Sequence, residues 1–76
     1  MNTDEIAALI AGAIPGARVT VTEVSGGEAG KYATTVVSER FAGLSIVKQH
    51  QMVYAALTPH IRSGRIHALD IRTRTP

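Results

Sequence analysis

The spacing of apolar residues predicts a helix at the start of the chain. Its apolar positions recur every three or four residues, the period of a helix that buries one stripe: Ile6, Leu9, Ile10 and Ala13. Asn2 and Glu5 have the spacing of a capping box, in which each residue satisfies a backbone N–H of the other. Pro15-Gly16 then predicts the end of this first helix.

The pattern changes to strict alternation at residues 17–23. Val19 and Val21 are apolar while Arg18, Thr20 and Thr22 between them are polar, which is typical of a strand with one buried face. A glycine-rich stretch at 25–30 predicts a turn, and residues 32–38, rich in Thr and Val, predict the returning strand of a hairpin.

The helical period returns after a turn at 41–43, with Ser45 as the predicted N-cap. The predicted buried face of this second helical run carries four aliphatic residues and one histidine: Ile46, His50, Val53, Leu57 and Ile61. Pro59 leaves two alternatives, because an interior proline kinks or ends a helix at a cost of about 3 kcal/mol. Either the helix bends there, or Thr58-Pro59 begins a separate final turn.

Residues 65–76 predict a last strand with one unusual position. Alternation puts His67 on the same face as Leu69 and Ile71, and puts Ile66 on the opposite face with Ala68, Asp70 and Arg72. A histidine on the more apolar face is either a packed core residue or a ligand held at the edge of the sheet.

These elements, in the order αββ-α(α)-β, predict one α+β domain over residues 1–76. A three-stranded sheet needs cover for its apolar face, and the helices supply it from one side, which gives a two-layer sandwich. We expect the other face of the sheet to be wet and to carry Arg18, Thr20, Thr22 and some of the late arginines.

The composition and the absence of known motifs argue against several classes of function. The 76 residues contain no cysteine, which excludes a disulfide, a cysteine nucleophile and a thiolate metal site made by this chain alone. No phosphate-binding loop, nucleophile motif or convincing carboxylate pair is present, so we expect a protein that is not an enzyme. The first residues resemble no targeting signal and are too short an apolar stretch to span a bilayer, which favours a cytoplasmic domain without membrane contact.

Charge is distributed unevenly. Residues 1–39 hold two basic and five acidic side chains, a balance of −3, whereas residues 40–76 hold six and one, a balance of +5. A basic half can attract nucleic acid or an acidic partner surface, and it can equally be a solvated rim.

Three histidines offer the remaining chemistry. His60 lies near the predicted end of the second helix and is expected at the surface. His50 is expected to be a buried imidazole that bonds to the backbone. Taken alone, His67 also favours a structural role, so residue patterns do not decide between structure and ligation.

Three segments together resemble the BolA family, in its short, IbaG-like branch: Val37-Ser-Glu-Arg-Phe-Ala-Gly43, Val47-Lys-Gln-His-Gln-Met-Val-Tyr54 and Ile66-His-Ala-Leu69. The resemblance implies an αββααβ fold similar to a class II KH domain. The Gly-x-x-Gly loop that joins two helices in KH domains is missing from the turn before the second helix, so RNA binding in the usual KH manner is not expected.

The resemblance also implies a function. BolA-like proteins pair with monothiol glutaredoxins and share a [2Fe–2S] cluster, in iron–sulfur trafficking and iron regulation. The glutaredoxin and glutathione supply thiolates, and the histidine that matches His67 supplies a nitrogen ligand. The isolated chain, a monomer or weak homodimer, would bind no cluster. The family usually carries a second ligand, Cys or His, in the hairpin loop, where this chain has Lys31, a poor iron ligand while protonated. Either His67 is therefore the only cluster ligand of this chain, or cluster sharing is weakened or lost.

A second family activity is transcription regulation through DNA binding at the helix-turn region, linked with stress responses. The matching side chains here are basic residues and amides: Lys48, Gln49, Gln51, Arg62 and Arg65. Phosphate contacts would make such binding strongly salt-dependent, and Gln49 or Gln51 could read adenine edges. A net charge of only +2 favours a solvated helix face over tight DNA binding by a monomer.

Overall fold

Two α-helices and three strands make up the domain, as the sequence predicts. Their order along the chain is α1 (Thr3–Ala13), β1 (Arg18–Glu23), β2 (Lys31–Val37), α2 (Ile46–Arg62) and β3 (Ala68–Arg74). A short 3₁₀ turn, Glu39–Phe41, lies between β2 and α2 and takes the place of one of the two adjacent helices in the expected order. The computed structural model describes residues 1–24 and 30–76, so the predicted turn at 25–30 lies, except for Gly30, outside the described residues.

Both helices begin at the residues that the sequence indicates. The Asn2 Oδ1 atom accepts a hydrogen bond from the Glu5 backbone N–H at 2.8 Å, and the Glu5 side chain accepts one from the Asn2 N–H at 3.3 Å. At the start of α2, the Ser45 Oγ atom accepts from the Lys48 N–H at 3.2 Å. These caps satisfy donors that have no partner within a helix.

The sheet has the strand order β1-β2-β3, with β1 and β2 antiparallel and β2 and β3 parallel. A parallel pair needs a long crossover, and α2 provides it. In the register, Arg18 pairs with Val37, and Val37 pairs with Arg74, which aligns one end of all three strands. Lys31 pairs with Ala68 at the other end of β2 and β3.

The core lies between the sheet and the two helices. Its buried apolar residues come from every layer: Ile6, Ile10, Ile14, Tyr32, Val36, Phe41, Val53, Leu57, Ile66 and Ile71. The opposite face of the sheet is uncovered, with Arg18, Thr20 and Thr22 exposed, which confirms the expected wet face. Among the described residues, no helix is long and apolar enough to cross a membrane.

The buried stripe of α1 differs from the predicted one. Ile6 and Ile10 are fully buried, but Leu9 is 37% exposed and Ala13 is exposed. Ile14, the C-cap residue, is 1% exposed and completes a stripe with a spacing of four residues. The Pro15-Gly16 stop therefore comes only after Ile14 has added a third apolar side chain to the core.

α2 runs through Pro59 without a break, which settles the alternative that the sequence left open. The proline removes one backbone hydrogen bond, to the carbonyl of Ala55, and both residues are exposed, so water can satisfy that carbonyl. The helix continues for only one further turn. At its other end Ile46 is 59% exposed, so the expectation that it is buried is wrong.

β3 begins three residues later than predicted, so residues 65–67 do not follow the alternation of the strand. Leu69 is half-buried and Ile71 is buried, as expected from alternation. Ile66 is only 2% exposed although alternation placed it outward, because it precedes the strand and is not part of the pleat. For the same reason His67 does not join the apolar face and is exposed.

Candidate functional site

His67 lies in the connection from α2 to β3, one residue before the strand. The connection turns at Gly64, whose φ of +80° favours glycine. The backbone N–H groups of Arg65 and Ile66 both donate to the His60 carbonyl, at 3.1 and 3.2 Å. Because Ile66 is also buried, the residue just before His67 is fixed to the core.

The backbone of His67 is tied to the start of β2. Its N–H donates to the Gly30 carbonyl at 2.7 Å, and the Ala68 N–H donates to the same oxygen at 3.2 Å. Two hydrogen bonds to one acceptor hold this corner of the sheet together. His67 is therefore anchored on both sides, by Ile66 in the core and by Gly30 across the sheet.

The imidazole ring of His67 lies against Gly30. A Cβ atom on residue 30 would be 2.5 Å from the His67 Cδ2 atom, closer than nonbonded carbon atoms approach, and 3.3 Å from Cγ. Gly30 is itself buried, and its φ of +89° is one that L-residues rarely adopt. A glycine is thus required here both by the backbone and by the ring.

The ring nitrogens of His67 are available to a ligand. The residue is exposed, and its side chain makes no hydrogen bond or ion pair with any described residue. This arrangement excludes the structural reading, a core histidine with its nitrogens satisfied, as far as the described residues extend. An anchored backbone with a free imidazole is the arrangement that a metal-ligating histidine needs.

Lys31 lies next to this histidine in the sheet register. It opens β2 as the Cα partner of Ala68, the residue after His67, and it is half-buried. The residue that faces the His67 ring is Gly30, not Lys31. Residues 25–29 of the hairpin loop lie outside the described residues.

His50 lies far from the end of α2 that leads to His67. His50 stands ten residues before His60 on α2, about 15 Å along the helix axis, whereas His60 is at the end that leads to His67. The expectation that His50 is a buried, hydrogen-bonded imidazole is wrong, since it is half-buried and its ring has no described partner. Among the described residues no group of three or more His, Cys, Asp or Glu side chains could hold a metal ion.

Gln49 is structural and not a base-reading residue, which corrects its place in the predicted DNA surface. It is 8% exposed, and its Nε2 atom donates to the carbonyls of Leu44 at 2.9 Å and Phe41 at 3.3 Å. Its Oε1 atom accepts from the Thr73 hydroxyl at 2.6 Å. The sequence held a signal for this burial, because Gln49 precedes Val53 by four residues and so lies on the buried face of α2.

The remaining residues of the predicted DNA surface separate into two groups. Lys48 and Gln51 are exposed near the start of α2, and Arg62 and Arg65 are exposed at its end. Lys48 and Arg62 are fourteen positions apart, about 21 Å along the helix. The structure therefore does not bring these basic residues into one patch, and DNA binding by this helix stays a prediction.

Comparison with known proteins identifies relatives along the whole chain. The family model described as BolA-like protein matches residues 15–76. An uncharacterized protein from the rpoN-murA intergenic region of Acinetobacter guillouiae is 37% identical over 75 residues, which cover 99% of this chain and 86% of that protein. The acid stress protein IbaG of Escherichia coli K12 is 34% identical over 76 residues, covering 100% of this chain and 86% of its own.

Solved structures share the fold. The structure of BolA1 from Arabidopsis thaliana matches with a TM-score of 0.85 and 25% sequence identity, covering 100% of this chain and 94% of that one. The matched region includes every element described above, from α1 to β3. The similarity therefore extends to the connection that carries the exposed histidine.

Proposed function

The chain belongs to the BolA-like protein family, and from this premise we propose that it is a non-enzymatic adaptor that binds a monothiol glutaredoxin and takes part in [2Fe–2S] cluster trafficking or iron regulation. The observation that carries the proposal is His67, an exposed imidazole on an anchored backbone, with no described partner for its ring nitrogens. Such a ring can bind an iron atom that another protein holds.

The donor set of this chain supports a cluster whose other ligands come from a partner. The sequence has no cysteine, and the described residues contain no cluster of metal-ligating side chains, so this chain contributes at most one or two ligands. Thiolates from glutaredoxin and glutathione would complete the set. When bound, a [2Fe–2S] cluster supplies one-electron chemistry, and replacing thiolates by imidazole raises its reduction potential.

The role of this chain is to present the ring. The backbone N–H groups of His67 and Ala68 both donate to the Gly30 carbonyl, and the His67 ring is confined on one side by Gly30 itself. A ligand that is already positioned loses less conformational entropy on binding, so more of the binding free energy remains for the complex. His67 is thus suited to bind a cluster that arrives with a partner protein.

The cellular setting forms part of the proposal. The Escherichia coli relative is named an acid stress protein, and we extend a stress-response role, together with iron homeostasis, to this chain. A cytoplasmic location accords with a partner that needs reduced glutathione.

Visible circular dichroism of a cluster-loaded monothiol glutaredoxin with glutathione tests the proposal. Adding the wild-type chain should change the spectrum, because the ligand field of one iron changes. His67→Ala should not produce that change. His60→Ala, which removes the histidine at the end of α2 that leads to His67, should behave as wild type. Identical spectra for wild type and His67→Ala would refute the ligand role.

Docking must be measured separately from ligation. Titration calorimetry with the apo glutaredoxin reports association without a cluster, and His67→Ala should keep most of that affinity if the variant loses only the metal bond. No binding by the wild-type chain in either the apo or the cluster-loaded state would remove the adaptor proposal as a whole.

A further inference from the structure

A second surface lies on the uncovered face of the sheet, at the end opposite His67. It is a groove of about 910 Å³, and its polar side chains are three arginines, four hydroxyls and one glutamate, among them Arg18, Arg40, Arg74, Thr20, Thr35 and Ser38. Val37 on its floor and Lys31 at the histidine end are six positions apart on β2, about 20 Å along the strand. The groove is therefore independent of the proposed cluster site.

The strand register places two of the arginines in one row across the three strands. Arg18 on β1 and Arg74 on β3 are both Cα partners of Val37 on β2, so their Cα atoms are about 10 Å apart with Val37 between them. All three residues point away from the helices, since alternate positions of each strand carry the core. Two arginine side chains of this length can close on a single anionic group above Val37.

Ser38 holds the third arginine beside this row. Its backbone N–H donates to the Arg74 carbonyl at 3.0 Å, and its Oγ atom accepts from the Arg40 N–H at 3.1 Å. Ser38 is only 4% exposed, so one buried residue fixes the backbones of two arginines. The backbone positions from which Arg40 and Arg74 extend are therefore fixed at this end of β2.

The charge of these arginines is not neutralised within the described part of the chain. Arg18, Arg40 and Arg74 are exposed and form no ion pair with any described residue. Glu39 is the one acidic side chain among the described residues that line the groove. Like charges held this close repel one another, and an anion bound between them relieves that repulsion.

We propose that this groove binds a small phosphate-bearing ligand, of the size of an oligophosphate or a nucleotide. Guanidinium groups match phosphate oxygens with paired hydrogen bonds, and the threonine hydroxyls add single donors. A volume of about 910 Å³ exceeds what one phosphate ion fills and lies within the range of small-molecule sites. No aromatic side chain lines the groove among the described residues, so it lacks the stacking platform that single-stranded nucleic acid uses.

Backbone amide NMR of the full ¹⁵N-labelled chain tests this, with pyrophosphate and ATP as separate probes. Each should cause saturable shifts at Arg18, at 37–40 and at Arg74. Arg18→Gln with Arg74→Gln should weaken binding by more than about tenfold, because charge-assisted hydrogen bonds are lost. Equal affinity for the two probes assigns recognition to the phosphates, and tighter ATP binding adds a nucleoside contact.

The matched control is Arg62→Gln with Arg65→Gln, which removes the same charge from exposed positions at the end of α2. It should leave the affinity for both probes within about twofold, and thermal unfolding should show that both double variants are folded. Three results would each overturn the proposal. They are the absence of saturable shifts with either probe, an equal loss in the control variant, and binding of duplex DNA to this face more tightly than ATP at the same salt concentration.

Discussion

The ring of His67 and the backbone of Gly30 are in direct contact, with no room for a side chain between them. Gly30 also supplies the carbonyl that accepts from the His67 N–H at 2.7 Å. One glycine therefore fixes the position of the histidine backbone and limits the orientation of its ring. The proposed ligand depends on a residue that has no side chain.

The first prediction is that Gly30→Ala damages cluster sharing more than it damages stability. The new Cβ atom would be 2.5 Å from the His67 Cδ2 atom, so the exposed ring must be displaced. It would also be 3.2 Å from the Arg65 carbonyl oxygen, so the backbone there must shift by a few tenths of an ångström, which adds a cost in folding free energy. The positive φ adds about 1–2 kcal/mol of destabilisation. Urea unfolding measures the free energy of unfolding, and visible circular dichroism with the loaded glutaredoxin measures ligation.

Gly43→Ala is the matched control for this prediction. Gly43 has a φ of +77°, close to that of Gly30, but a Cβ atom there would meet nothing within 4 Å. We expect a loss of stability from the positive φ alone, smaller than that of Gly30→Ala, and no change in the circular dichroism titration. If Gly30→Ala ligates as well as Gly43→Ala, the contact between residue 30 and the ring is irrelevant to function.

The second prediction concerns the missing loop ligand. Lys31→His places an imidazole beside Ala68, one position from His67 in the register, and should slow the loss of the shared cluster. A new coordinate bond worth only about 1.4 kcal/mol already gives a tenfold effect. The rate at which the visible absorbance of the cluster decays in the presence of a chelator measures this loss. Ala33→His, two residues further along β2 on the same face, should leave the decay rate unchanged. If the cluster decays no more slowly with Lys31→His than with wild type, Lys31 is not at the ligand position.

Most of the fold follows from the sequence because it rests on local signals. The capping box at Asn2, the Ser45 cap and the alternation of β1 all reappear in the structure. The sequence does not decide whether Pro59 breaks α2, because that depends on whether water can satisfy the freed carbonyl of Ala55. Exposure of that side of the helix is a tertiary property.

The candidate site was harder to predict for the same kind of reason. His67 is in the expected place along the chain, but its exposure arises because β3 begins at Ala68 and not earlier. Gly30 gave no sequence signal beyond the glycine-rich turn, since its contact with His67 spans 37 positions. The arginine groove depends on the pairing of β1 and β3 with β2, a register that single-strand patterns do not specify.

The third prediction tests DNA binding by α2. Lys48 and Arg62 are about 21 Å apart along the helix, so each would contact phosphates independently. Lys48→Ala with Arg62→Ala should therefore weaken duplex binding by the sum of the two single effects and reduce the salt dependence by about two phosphate contacts. Fluorescence anisotropy over a range of salt concentrations measures both. Unchanged affinity in the double variant would reject α2 as the DNA-binding surface.

The fourth prediction is that Gln49 contributes to stability and not to recognition. Gln49→Ala removes the donor to the Leu44 and Phe41 carbonyls and the acceptor of the Thr73 hydroxyl, all at a buried position. Leaving such groups without partners and opening a cavity should lower the free energy of unfolding by about 2–4 kcal/mol. Urea denaturation measures this, and Gln51→Ala, the exposed amide two residues on, should change it by less than about 0.5 kcal/mol.

A double-mutant cycle separates the hydrogen bond from the cavity. Thr73→Val removes the hydroxyl that donates to the Gln49 Oε1 atom at 2.6 Å, and Gln49→Leu keeps much of the buried volume while it removes the amide. Because each single change leaves the other partner unsatisfied, the double variant should be more stable than the sum of the two losses predicts, by about 0.5–1.5 kcal/mol. Strict additivity would show that the two side chains do not interact in solution. Gln49 would then be held by its hydrogen bonds to the Leu44 and Phe41 carbonyls, and the tie between α2 and β3 would rest on apolar packing.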